Sequence, residues 1–64
     1  MTPETGNAIF KLRMRLSLTQ EQFAYRLGVT VSTVSRWECG HRAPSPLAAK
    51  ALAYLDRNGK FLDD

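Results

Sequence analysis

The sequence is poor in the residues that chemistry usually needs. It has one cysteine, Cys39, and one histidine, His41. A lone cysteine cannot close an internal disulfide, and one cysteine with one histidine cannot complete a four-ligand zinc site. The acids are few and scattered, and neither Cys39 nor His41 has a neighbour suited to activate it, which argues against an enzyme. No glycine-rich run is present to cradle a nucleotide phosphate, and nothing calls for a cofactor or a metal. No apolar run approaches the roughly eighteen residues of a membrane span, and the start lacks a secretory signal. A cytoplasmic chain with no membrane partner is the expectation. Internal repeats, low-complexity tracts and linkers are also missing, so residues 1–64 are expected to form a single domain.

What is present is ordinary in amount and uneven in place. The chain is 44% hydrophobic and 23% charged, as in a typical globule. A chain of this length buries only about 60% of its unfolded surface, so part of its stability is expected from a partner. The net charge is +3, but six bases and only two acids lie between Lys11 and Arg42. Such a concentration is either a solvated basic face or a surface for phosphates. What lies in the same stretch favours the second.

That stretch is Thr19–Glu38, TQEQFAYRLGVTVSTVSRWE. Thr19 with Gln22 three residues on reads as a capping box opening a helix over Gln20–Leu27. Phe23, Ala24 and Leu27 recur at helical spacing and give it one buried face. Gly28 is placed to end it in a left-handed turn, and Val29 returns to the core. Thr30 is a second N-cap, for a helix over Val31–Cys39 with Val34 and Trp37 inward and Gly40 as its end. Helices this short are marginal alone and must pack on each other.

Counted from Gln20, the small residue Ala24, the turn glycine Gly28 and the apolar Val34 fall at the fifth, ninth and fifteenth positions. Phe23, Leu27, Val29 and Trp37 fill the remaining apolar positions. This pattern resembles the DNA-binding helix-turn-helix at each diagnostic place. The surrounding words, with Trp37-Glu38 and Gly40, are similar to the XRE or lambda-repressor-like family over about residues 9–55. The resemblance implies an all-α, compact bundle of four or five short helices, with the second and third forming the motif over residues 19–38.

The rest of the chain fits that plan. Thr2, Pro3 and Glu4 suit the start of a first helix to about Leu16, with Ile9, Leu12 and Leu16 inward and Phe10 and Met14 flanking. Gly6 and Asn7 weaken its first turns, so fraying is expected there. Ser17-Leu18 links to the second helix, with Leu18 inward. Pro44 stiffens a loop, and Ser45-Pro46 opens a fourth helix to about Asp56 or Arg57. Its inner face holds Leu47 or Ala48, then Ala51, Leu52 and Leu55. Asn58-Gly59 is a stop. In the tail, residues 57–64, Phe61 and Leu62 either fold back or serve a partner. Lys11 and Arg15 read as solvated charges.

Site residues follow from the face opposite Val34 and Trp37. Val31, Ser32, Ser35 and Arg36 lie there, with Cys39 a turn later, and are the expected base contacts. Arg36 either grips guanine O6 and N7 or touches phosphate. Ser32 and Ser35 bond bases of several kinds, and Val31 suits a thymine methyl, although relatives often carry a polar residue at its position. The expected phosphate contacts are Gln20, Thr30, Thr33, His41 and Arg42. Gln20 matches the family's phosphate-binding glutamine at a helix N-terminus. Tyr25, opposite the buried face, either meets DNA backbone or faces solvent. The resemblance also implies an ion pair between Arg13 and Glu38, either partly buried or on the rim.

Taken together, the family resemblance implies a bacterial or phage transcriptional regulator of the repressor kind, acting at the nucleoid. Its expected partners are double-stranded DNA, as a palindromic operator, and a second copy of itself, with the fourth helix and the Phe61-Leu62 tail as the dimer surface. The alternative is an antitoxin-like protein whose main partner is another protein, such as a toxin, and whose DNA binding is autoregulatory. A degenerate interaction module is disfavoured by Arg36 and the serines.

Overall fold

The computed structural model describes residues 3–61, with side chains from Thr5 onward. Four helices follow one another: α1 (Pro3–Arg15), α2 (Gln20–Leu27), α3 (Val31–Glu38) and α4 (Pro46–Asn58). No strand and no fifth helix occur among the described residues. The expected cap Thr2 and the tail residue Leu62 lie outside them.

Local chemistry sets each boundary. The Thr19 hydroxyl accepts the Gln22 backbone N–H at 3.1 Å, and the Gln22 side chain accepts the Thr19 N–H at 2.9 Å, closing the capping box. Thr30 and Ser45 cap α3 and α4 in the same sense, accepting from the N–H groups of Thr33 and Ala48. Pro46 then opens α4, at a position whose N–H would have no helical partner. Gly28 has φ 74°, and Val29 N–H reaches back to the Ala24 carbonyl at 3.0 Å. This is a Schellman ending, and it turns the chain sharply into α3. Ser17 performs the same task for α1 at φ 60°, without the freedom of a glycine.

The core forms where the helices meet. Trp37, Phe23, Leu55 and Val34 are fully buried, and Ile9, Leu12, Ala24 and Leu52 surround them. Burying a large apolar side chain contributes roughly 1.5–3 kcal/mol, and Leu16, Leu18, Leu27 and Val29 add partial burial around this set. α1 and α2 both pack on α3, and α4 closes against α1. On α4 the inward residue of the first turn is Ala48, whereas Leu47 is 80% exposed. Phe10 and Met14 lie outside the core, on the surface of α1.

Two expectations change, and one open alternative is decided. Gly6 has a packing role beside its weak helix propensity. It is buried, and a Cβ there would stand 2.6 Å from the Trp37 carbonyl oxygen and 2.7 Å from that of Glu38. The missing side chain lets α1 lie directly on the end of α3. Phe61 is buried in its own chain, edge-on to Phe23 with ring centres 6.5 Å apart, and the Arg26 guanidinium lies 4.1 Å above it. It is therefore withdrawn from the expected dimer surface. Arg15 is not simply solvated: its Nη2 donates to the Asp56 carbonyl at 3.0 Å and to Asp56 Oδ1 at 3.2 Å, joining α1 to the last turn of α4.

Candidate nucleic-acid interface

α3 is divided along its length. Val34 and Trp37 are sealed against the core, while Val31, Ser32 and Arg36 are exposed and Ser35 is half-buried at the edge between them. The division follows from helical period: residues three apart share a face, and the short helix has room for one buried stripe. Arg36 takes part in none of the ion pairs among the described residues. Cys39, exposed, ends the helix. Gly40 at φ 78° then turns the backbone, with His41 N–H on the Arg36 carbonyl at 2.9 Å. That turn carries His41 and Arg42 into an exposed loop directly after α3.

The other polar residues at this end occupy two clusters. The hydroxyls of Thr30 and Thr33 lie 2.9 Å apart, and the Thr30 oxygen also accepts the Thr33 N–H. Both threonines are thus held by the cap. The second cluster centres on Glu38. Arg13 Nε donates to Glu38 Oε2 at 2.6 Å and Arg13 Nη2 to Glu38 Oε1 at 3.1 Å, a two-pronged pair with both side chains about nine-tenths buried. Arg13 Nη1 donates to the Leu18 carbonyl at 2.9 Å in the link between α1 and α2. Gln20 Nε2 donates to Glu38 Oε1 at 3.0 Å. Three helices therefore meet at one carboxylate, and no buried side-chain polar atom among the described residues lacks a partner.

The bond between Gln20 and Glu38 was not visible in the sequence. Eighteen residues separate the two, and only the α2–α3 turn brings the start of one helix beside the end of the other. Tyr25 is 84% exposed on the outer face of α2. Among the described residues no helix is long and apolar enough to cross a membrane, and no group of three acidic, cysteine or histidine side chains is arranged to hold a metal ion.

A short helix, a left-handed turn and a second helix buried on one side and bare on the other define a helix-turn-helix. The family model described by that name matches residues 9–53, and the chain belongs to this family, in its XRE or lambda-repressor-like form. It is a DNA-binding regulator by family. Among curated proteins, the antitoxin MqsA of Escherichia coli (strain K12) is 38% identical over 56 residues, covering 88% of this chain and 43% of the antitoxin. The chain thus spans less than half the length of that relative. No solved structure gives a match.

Proposed function

We propose that the chain is a transcriptional repressor that lays α3 in the major groove of double-stranded DNA and acts by occupying its operator. The observation that carries this reading is the division of α3, with Val34 and Trp37 buried and Val31, Ser32 and Arg36 bare on the other side. Arg36 is the principal base reader, its fork matched to guanine O6 and N7. Ser32 and Ser35 bond several bases, and Val31 packs on a thymine methyl. Gln20, Thr30, Thr33, His41 and Arg42 hold the DNA backbone and set the register. One such module covers little DNA, so a homodimer on a two-fold operator is proposed, with half-sites about one turn, roughly 34 Å, apart. Among the described residues, the α4 surface around exposed Leu47 is the part of the expected dimer face that remains once Phe61 is withdrawn.

The test is selection of bound duplexes from a random pool, followed by mobility-shift titration across salt concentrations. A basic recognition surface gives binding that weakens linearly in log–log form as salt rises. Binding that ignores salt, or no duplex recovered, would sink the reading.

A second reading is favoured by the likeness to an antitoxin. In it the same α3 surface represses the chain's own operon, and the principal partner is a protein, such as a toxin. A toxin reading frame beside the gene, together with tighter operator binding in the presence of its product, would separate it from the first reading.

A further inference from the structure

We propose that Glu38, neutralised by Arg13, is the residue that aims Gln20 at the DNA backbone. The inference rests on the reading of Gln20 as a phosphate contact and concerns what fixes that contact. A glutamine side chain carries two N–H donors on one planar amide. In this structure Nε2 is tied to Glu38 Oε1 at 3.0 Å, and Gln20 has no other side-chain hydrogen bond among the described residues. One donor is therefore engaged inward. Tying it restricts the rotation of the amide and leaves the second donor turned away from Glu38. Gln20 is the first residue of α2 and only half-buried. The second donor remains for a phosphate at the N-terminus of α2, where the helix itself favours an anion.

Glu38 can do this only because of Arg13. A bare carboxylate close to a phosphate would repel it and would weaken the site that it helps to build. The Arg13 guanidinium covers both oxygens, at 2.6 and 3.1 Å, and is itself held by the Leu18 carbonyl at 2.9 Å. The carboxylate therefore keeps its acceptor strength while its charge is matched. Its site, at the last residue of α3, is also where a helix dipole disfavours an anion. The position makes sense for an acceptor that must reach the start of α2. Without such an anchor Gln20, a flexible side chain, would have to be ordered on binding, which weakens affinity. Glu38 and Arg13 are thus positioning residues, and Gln20 is the contact.

The test is a double-mutant cycle on DNA binding by the full chain, using a duplex selected from a random pool, with unfolding measured on every variant. Gln20→Ala should weaken binding to all duplexes alike, by up to about tenfold, the range of one hydrogen bond. Because Glu38→Ala can fail to fold, the paired replacement Arg13→Met with Glu38→Met removes the acceptor while keeping apolar volume at the node. That variant should lose affinity by no more than Gln20→Ala does, and adding Gln20→Ala to it should cost clearly less than it does in the unaltered chain. A duplex with a neutral methylphosphonate at the contacted position should make both changes silent. If the two losses multiply, Glu38 does not act through Gln20 and the proposal is overturned while the phosphate contact stands. If Gln20→Ala has no effect on any duplex, the phosphate reading fails and the proposal falls with it.

Discussion

A Cβ added to Gly6 would stand 2.6 Å from the carbonyl oxygen of Trp37, closer than such atoms approach. Replacing a helical glycine by alanine ordinarily stabilises by about 0.5–1 kcal/mol. Here the sign reverses. The obstacles are the backbone carbonyls of Trp37 and Glu38 and cannot swing aside, so α1 must lift from α3. Gly6→Ala is expected to destabilise by about 1–3 kcal/mol, the usual cost of overpacking. The neighbour Asn7 is exposed, and Asn7→Ala should stabilise by roughly a few tenths on propensity alone. Urea unfolding of the two variants checks the contrast. Equal, stabilising shifts would show that the close approach of α1 to α3 is wrong.

Two ion pairs in one chain should have very different worth. Arg13 and Glu38 are about nine-tenths buried, and each of the three guanidinium nitrogens donates to an acceptor. Arg13→Ala leaves the carboxylate without its partner and should cost about 3–5 kcal/mol. Arg15 and Asp56 keep 55% and 70% of their side-chain surface exposed. Arg15→Ala should therefore cost under about 1 kcal/mol, and less as salt screens the pair. Thermal unfolding at low and high salt distinguishes the two. A salt-sensitive loss in Arg13→Ala would place that pair at the surface instead.

The elements were legible because short-range chemistry writes them. Thr19 with Gln22, Gly28, Thr30 and Ser45-Pro46 each mark a boundary within four residues of sequence, and the helices begin where those marks stand. The buried face of α3 was legible for the same reason, since Val34 and Trp37 are three apart. What the sequence hid depends on how the helices are placed in space. Gly6 looked like a weakness in α1 because its task lies thirty-one residues away at Trp37. Phe61 stood between the core and a partner because nothing near it in sequence decides the matter, whereas distant Phe23 and Arg26 hold it inward. The pairing of Gln20 with Glu38 crosses the helix-turn-helix itself. Of the candidate site, the residues that face outward could be read from period alone, but the node that joins three helices could not.

Ser17 is the one non-glycine residue with a positive φ among the described residues, at 60°. It closes α1, with its N–H on the Met14 carbonyl at 3.0 Å and Leu18 N–H on the Arg13 carbonyl at 3.3 Å. The left-handed conformation costs an ordinary residue about 1–2 kcal/mol, and glycine avoids that cost. Glycine also enlarges the unfolded ensemble, which takes back roughly 0.4–1 kcal/mol. Ser17→Gly should therefore be mildly stabilising, and Ser17→Asn as well, since asparagine tolerates this region. Ser17→Val should destabilise clearly, because a β-branched residue there is a genuine outlier. The order of midpoints in urea, with glycine and asparagine above serine and valine below, is the check. Valine matching serine would mean that the turn can relax without cost.

Arg36 and Arg42 are both exposed at the same end of the molecule, but they leave α3 at different points. Arg36 projects from within the helix, on the side away from Val34 and Trp37. Arg42 lies beyond the Gly40 turn, in the loop that follows. A helix seated in the major groove brings the first against base edges and the second against the flanking backbone. Arg36→Ala should cost about 1–3 kcal/mol on the selected duplex and far less on duplexes altered at one base pair, so that discrimination there relaxes. Arg42→Ala should weaken all duplexes nearly alike and reduce the salt slope by about one unit, because one phosphate contact is lost. Binding measured on a panel of singly altered duplexes at several salt concentrations reads both effects at once. The reverse pattern, with Arg42 setting sequence preference and Arg36 only the salt slope, would mean that the loop rather than α3 enters the groove.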